Sequence, residues 1–172
     1  MTPLSHDELH LLLDAATAAR QYAYAPYSHF PVGAAILLDD QSLIVGANVE
    51  NASFGLTICA ERVALSSAIA QGKRHIRAIA VVAHTASPVH PCGACRQVLH
   101  ELAPDAIVLL ANLTGQIEIT TAQALLPQAF STDQLTEFAS EASHEKTEIP
   151  PPADSPPLQQ TPKAGPHHRS RA

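Results

Sequence analysis

The sequence predicts an α/β domain of the three-layer α/β/α kind, built on a roughly five-stranded mixed sheet. Three observations carry this expectation. Two β-rich apolar runs, "IRAIAVVAH" and "AIVLLAN", read as strands buried on both faces. A third β-rich stretch folds back through the turn "DDQS" as a hairpin. Segments with helical spacing run between and around these strands. The resulting order is helix, hairpin, helix, strand, helix, strand, strand, helix.

Taken in order, Ser5 and Glu8 have the spacing of a capping box, and Leu4 and Leu9 that of a hydrophobic staple. Leu9, Leu12, Leu13 and Ala16 then keep helical spacing, so a first helix is expected from about Ser5 to Tyr22. The chain leaves it through the proline-bounded loop "YAPYSHFP" into a strand from about Val32 to Leu38, and "LIVGANVE" returns beside it. After "NASFGLT" a second helix is expected from Cys59 to about Gln71, with Gly72 at a typical C′ position. "IRAIAVVAH" follows as a buried strand, "SPVHP" breaks the chain, and "CGACRQVLHEL" starts a third helix. "AIVLLAN" is the next strand, "GQIEIT" a shorter one, and "TAQALLPQAF" a short helix and its exit.

From about Ser140 the composition changes. The remaining residues hold seven of the chain's 14 prolines and almost no large apolar side chains. Such a segment cannot bury enough surface to offset its ordering entropy. The expected organisation is a folded domain over 1–139 and a disordered, proline-rich tail over 140–172.

Charge and composition exclude several functions. The net charge is −6, and residues 1–140 carry all of it, with 12 acidic residues against 6 basic ones. No basic stripe is available for a phosphate backbone, so nucleic acid is not an expected partner. No run of eighteen apolar residues exists to span a membrane, and "MTPLSHDELH" lacks the features of a secretory signal. A cytoplasmic protein is the expectation.

The three cysteines, Cys59, Cys92 and Cys95, are an odd number in a chain expected to be cytoplasmic. That argues against a disulfide framework and toward metal or redox chemistry. "PCGAC" puts Cys92 and Cys95 three apart in a first helical turn, a spacing shared by redox dithiols and structural zinc sites. Cys59 sits at another predicted helix start, where unpaired N–H groups and the helix dipole favour a thiolate. Three thiolates from two helix starts make an incomplete zinc tetrahedron, and an open fourth position is the mark of a catalytic site. Glu61, two residues after Cys59, is either a solvated first-turn acid or a carboxylate reaching that open position. His29, His75, His84, His90 and His100 stand at no ligand spacing within this set.

"CAER" followed by "PCGACRQV", together with "YAPYSHFPVGAA" and "GANVENASFGLT" upstream, resembles the small zinc-dependent cytidine deaminases of the homotetrameric type. The resemblance runs from roughly Leu9 to Phe130, with four motifs in order. It implies one Zn2+ per subunit, held by Cys59, Cys92 and Cys95, and Glu61 as the proton shuttle between the attacking water, N3 of the base and the departing ammonia. The mechanism comes with the resemblance and is the one general to this class of zinc deaminases. The implied substrate is a free pyrimidine nucleoside, cytidine or deoxycytidine, converted to uridine or deoxyuridine.

The resemblance also implies substrate contacts. Asn48 and Glu50 in "NVE" hold the ribose hydroxyls, and the Ala60 backbone meets the base carbonyl. Phe30 and Phe54 come from the loops flanking the hairpin, while Phe130 reaches a neighbouring subunit's base. The family commonly has tyrosine where this chain has Phe54, so any hydrogen bond from that hydroxyl is lost. Zn2+ with three thiolates carries a formal charge of −1, which a guanidinium donating to sulfur would offset. Arg62 and Arg96 both stand beside ligands, and the resemblance favours Arg62; either can instead be a surface helix arginine. Other readings are a deaminase of a modified cytosine nucleoside and a catalytically silent, zinc-stabilised nucleoside-binding module.

Overall fold

Ser5 begins the first helix as its spacing to Glu8 predicts. In the computed structural model, which describes residues 3–135, the Ser5 hydroxyl accepts from the Glu8 N–H and the Glu8 carboxylate accepts from the Ser5 N–H. Helix α1 (His6–Ala19) follows, and the predicted last turn tightens into a 3-10 turn at Arg20–Tyr22. Strands β1 (Val32–Leu38) and β2 (Leu43–Ala47) form the hairpin. Helix α2 (Ala60–Ala70), strand β3 (Ile76–Ala83), helix α3 (Gly93–Leu102), strands β4 (Ile107–Asn112) and β5 (Ile117–Thr121) and the single-turn helix α4 (Ala122–Leu125) complete the order. The chain divides after Thr132, and of the second unit only Asp133, Gln134 and Leu135 are described. The segment 140–172, expected to be a tail, lies outside the described residues.

The five strands lie in the order β2-β1-β3-β4-β5. Only β3 and β4 run parallel, and α3 supplies the crossover such a pair requires. The sheet is therefore mixed and five-stranded, as the sequence predicts. Alternate side chains along β1, β3 and β4 serve two cores. Ala35, Leu37, Ala80, Val82 and Leu109 pack with Leu12 and Ala16 of α1 on one face. Ala34, Ile36, Ile79, Val81, Val108 and Leu110 pack with α2, α3 and α4 on the other. Burial on both faces is why these strands read as unbroken apolar runs.

Two glycines set how closely the helices approach. A Cβ on Gly33 would lie 2.0 Å from the Ala16 carbonyl oxygen of α1, and one on Gly46 would lie 2.5 Å from both the Ala60 carbonyl oxygen and the Ala64 nitrogen. Gly46 thus lets the first turn of α2 press directly onto β2. The returning strand differs from its predicted length. Regular pairing stops at Ala47, and Val49 continues only as single bridges to Tyr24 and Ile58. The cause is the Tyr24–Tyr27 loop, whose backbone exchanges hydrogen bonds with Asn48 and Glu50 in place of a strand.

Candidate active site

Helices α2 and α3 each begin at a cysteine. Cys59 is the N-cap of α2 and Cys92 the N-cap of α3, each in extended backbone and neither capping with its side chain. Cys95 lies in the first turn of α3, fully buried. Freed from capping, the sulfurs converge: Cys59 Sγ and Cys92 Sγ are 3.8 Å apart, and all three sulfurs lie within 4.8 Å of one another. Tetrahedral zinc with Zn–S of about 2.3 Å needs sulfurs roughly 3.8 Å apart, so the donor set fits zinc. Three soft donors from two helix N-termini also suit that ion's charge.

The surrounding charges are arranged around Cys59. The Cys95 thiol hydrogen-bonds it, and Arg62, with Nη2 at 3.9 Å from its sulfur, adds to the effect; together they pull the Cys59 thiol down to about 5. The same pairing, with burial and the Glu61 carboxylate, pushes Cys95 up. Arg62 is anchored by a 3.0 Å bond from Nη2 to the Thr57 carbonyl. Glu61, the second residue of α2, is only 4% exposed, and burial raises its carboxyl above the usual range, with the Cys59 thiolate adding to the rise. A solvated first-turn acid is excluded by that burial.

A cleft of about 370 Å³ opens beside the cysteines, lined among others by Phe30, Asn48, Glu50, Cys59, Ala60, Glu61 and Cys92. Asn48 is buried and already engaged: Oδ1 accepts from the Val32 N–H at 2.8 Å, and Nδ2 donates to the Phe30 carbonyl at 3.0 Å. Glu50 Oε2 accepts from the Tyr27 and Ser28 N–H groups, and Oε1 from the Ser28 hydroxyl. That hydroxyl bond is the main cause holding the Glu50 carboxyl below its usual range. Phe54, 74% exposed, stands edge-on to Tyr27 at 5.9 Å between ring centres. It lines an adjoining hollow that shares Ser28, Glu50 and Thr57 with the cleft. Phe130 lines neither; it lies beyond α4, exposed, beside His100 and Pro104.

Some residues of this site left little trace in the sequence. Ser28 orders the loop by donating to Glu50 and accepting from the Phe30 N–H. Thr57, Val81 and Val89 complete the cleft wall. His90, at no ligand spacing, nonetheless lines the cleft, with Nε2 3.2 Å from Glu118. Asn112, buried at the end of β4, donates to the Thr85 and Ala86 carbonyls and so fixes the start of the loop that brings Val89 and His90 to the cleft. Arg96 turns away from the sulfurs, donating to the carbonyls of Pro91 and Leu125. Of the two arginines it is Arg62 that reaches a thiol.

Residues 6–111 match the family described as the zinc-binding region of cytidine and deoxycytidylate deaminases. The chain is 55% identical over 128 residues to a cytidine deaminase of Halalkalibacterium halodurans, covering 74% of this chain and 97% of that one. It is 49% identical over 131 residues to a cytidine deaminase of Sporosarcina psychrophila, covering 76% and 96% respectively. Among solved structures, the crystal structure of cytidine deaminase from Burkholderia pseudomallei superposes with a TM-score of 0.70 at 53% identity, over 74% of this chain and all of that one.

Proposed function

We infer, because the chain belongs to the cytidine and deoxycytidylate deaminase family, that it is a zinc-dependent enzyme hydrolysing cytidine to uridine and ammonia. The observation that carries this reading is the convergence of three sulfurs at zinc spacing beside a buried, non-ligating Glu61. A binding module would need the metal but not the carboxylate. Relatives at 55% and 49% identity are cytidine deaminases, which disfavours a modified nucleoside as the main substrate. The direct test follows the loss of cytidine absorbance and the release of ammonia with purified, zinc-loaded protein; zero turnover at full zinc occupancy would overturn the reading.

Cys59, Cys92 and Cys95 hold the metal, and Arg62 compensates part of the thiolate charge. A zinc ion held there lowers the pKa of water to about 7, supplying a nucleophile at neutral pH. Glu61 does the proton work. Its burial keeps the carboxyl basic enough to take a proton from the attacking water and acidic enough to give it to N3 of the base; it then takes the second proton, from the added hydroxyl, and gives it to the departing ammonia. The Ala60 N–H, at the start of α2 where backbone donors lack helical partners, meets the base carbonyl. Glu50 and Asn48 receive the ribose, with Phe30 and Phe54 flanking the cleft.

The reading extends to deoxycytidine, because the 3′-hydroxyl that Glu50 would accept is present in both nucleosides. It also extends to assembly. Phe130 projects from its own protomer without reaching its own cleft. Exposed Tyr24, Val49, Leu56 and Ile58 gather around the Val49 bridges, an apolar surface that a lone subunit would leave wet. A homotetramer in which Phe130 completes a neighbour's cleft accounts for both, and a fully active monomer by light scattering would refute it. Among the described residues no helix is long and apolar enough to cross a membrane, and the proposed location is the cytoplasm. The catalytic domain is proposed to span 1–139. A chain ending at Ser140 should then keep its kcat/KM, and a tenfold loss would assign residues beyond it to the enzyme.

A further inference from the structure

Two successive side chains on α3 reach the two ends of the segment that carries Phe130. Arg96 donates from Nε to the Pro91 carbonyl at 2.8 Å and from Nη1 to the Leu125 carbonyl at 3.1 Å. Gln97 donates from Nε2 to the Phe130 carbonyl at 2.9 Å. Pro91 immediately precedes Cys92, and Leu125 is the last residue of α4. Arg96 and Gln97 directly follow Cys95, and helical side chains lean back toward the N-terminus, which directs Arg96 to the loop before Cys92.

Among the described residues, the segment between these anchors is irregular backbone. α4 is a single turn, Leu126 leaves it in irregular backbone, and Gln128 adopts a φ of 60°. Phe130 is 56% exposed, so its ring is not fixed by its own protomer's core. An aromatic ring meant for another subunit's cleft must be aimed through its backbone. The Phe130 carbonyl is the backbone atom that Gln97 grips, and the Leu125 carbonyl is a helix-end acceptor without a helical donor that Arg96 satisfies.

We propose that Arg96 and Gln97 are positioning residues: a two-point tether that aims Phe130 and ties the C-terminal segment to the metal-bearing start of α3. Gln97 fixes where the aromatic ring presents itself. Arg96 couples that segment to the loop entering Cys92, so that displacement of either end is felt at the other. Within this tether Gln97 governs nucleoside binding and leaves the proton chemistry at Glu61 alone. The proposal rests on the reading in which Phe130 completes a neighbour's cleft.

The test is Gln97→Glu, which keeps the shape but replaces the donating amide with a carboxylate facing the Phe130 carbonyl. In zinc-loaded full-length enzyme its KM for cytidine should rise about 5- to 30-fold, the scale of one lost hydrogen bond. The kcat should stay within about twofold, since no transition-state contact is removed. Zinc content should match the wild type. Combined with Phe130→Ala it should add nothing to the KM defect of Phe130→Ala alone, because both act through the same ring. Amide hydrogen exchange of residues 126–131 should quicken in Gln97→Glu. Unchanged exchange, or a KM defect fully additive with Phe130→Ala, would overturn the tether. A normal KM for Phe130→Ala with faster exchange in Gln97→Glu would leave the tether standing and discard Phe130 as a cleft residue. For the other arm, Arg96→Met should raise KM and lower zinc affinity together, and Arg96→Lys should restore zinc affinity in part while KM stays high. Wild-type values for both properties in Arg96→Met would remove Arg96 from the tether.

Discussion

Arg62 stands between a carbonyl and a thiol: its Nη2 lies 3.0 Å from the Thr57 oxygen and 3.9 Å from Cys59 Sγ. The first contact fixes the guanidinium, so the second comes at little further cost in side-chain entropy. Groups that hydrogen-bond metal ligands commonly alter metal affinity by about 10- to 100-fold. Arg62→Gln should therefore weaken zinc binding by at least about tenfold, measured by competition with a chromophoric chelator, and lower turnover with it. An unchanged zinc affinity would make Arg62 a structural residue of the Thr57 turn.

Glu61→Gln should bind zinc normally and lose activity by about 10²- to 10⁴-fold, the usual worth of a positioned proton shuttle. The amide fills the same buried space, so the thermal midpoint should hold or rise, because the burial that raises the Glu61 carboxyl opposes its charge. Metal analysis, kinetics and melting on one preparation check the three claims together. Near-normal turnover would remove Glu61 from the mechanism.

Cytidine should be a far better substrate than its 5′-monophosphate, and a 3′-phosphate should be worse still. Glu50 is held ionised chiefly by the Ser28 hydroxyl, and it lines the cleft with a persistent negative charge. A phosphate brought beside it meets like charge in a partly dry setting. Comparable kcat/KM for nucleoside and nucleotides would place Glu50 away from the ribose.

Stability should also carry a pH signature remote from the cleft. The Arg77 guanidinium, 2.6 Å away, is the largest cause holding the Glu8 carboxyl at about 2, and the Ser5 N–H assists. Lowering a folded-state carboxyl makes the ionised form the stabilising one. Its contribution is complete above the ordinary value of 4.5 and disappears as pH falls toward 2. The melting temperature of Glu8→Gln should therefore fall below that of the wild type at neutral pH, and the gap should narrow steadily below about pH 4.5. A gap that stays constant down to pH 3 would show that the ion pair does not couple to folding.

The legible parts of this protein are those fixed by local chemistry. The Ser5–Glu8 box, the doubly buried β3 and β4 and the cysteines at two helix starts each follow from residues a few positions apart. What the sequence left hidden depends on distant partners. β2 ends at Ala47 because Asn48 and Glu50 bond to residues 24–32, and nothing in "NVE" names those partners. His90 joins the cleft because the loop before it is fixed by Asn112. Arg62 and Arg96 occupy similar places beside ligands, and only their acceptors, a thiol for one and two carbonyls for the other, tell them apart.

Gly46 shows how a residue that is not itself a ligand can control the metal site. A Cβ there would stand 2.5 Å from the Ala60 oxygen and the Ala64 nitrogen, both backbone atoms of the first two turns of α2. Backbone cannot rotate aside as a side chain can, so Gly46→Ala must push the start of α2 off β2. Overpacking of this kind costs about 1–3 kcal/mol. The displaced turn carries Cys59 and Glu61, while Cys92 and Cys95 ride on α3 and stay in place. A shift of a few tenths of an ångström would spoil the 3.8 Å spacing between Cys59 and Cys92. Gly46→Ala should therefore lower the thermal midpoint of the metal-free protein and weaken zinc binding as well. The second effect separates this account from general destabilisation, since Leu12→Ala, a cavity mutation on the α1 face, should cost stability without changing zinc affinity in the folded protein. Equal zinc affinities for the wild type and Gly46→Ala would mean that the α2 start yields without moving its cysteine.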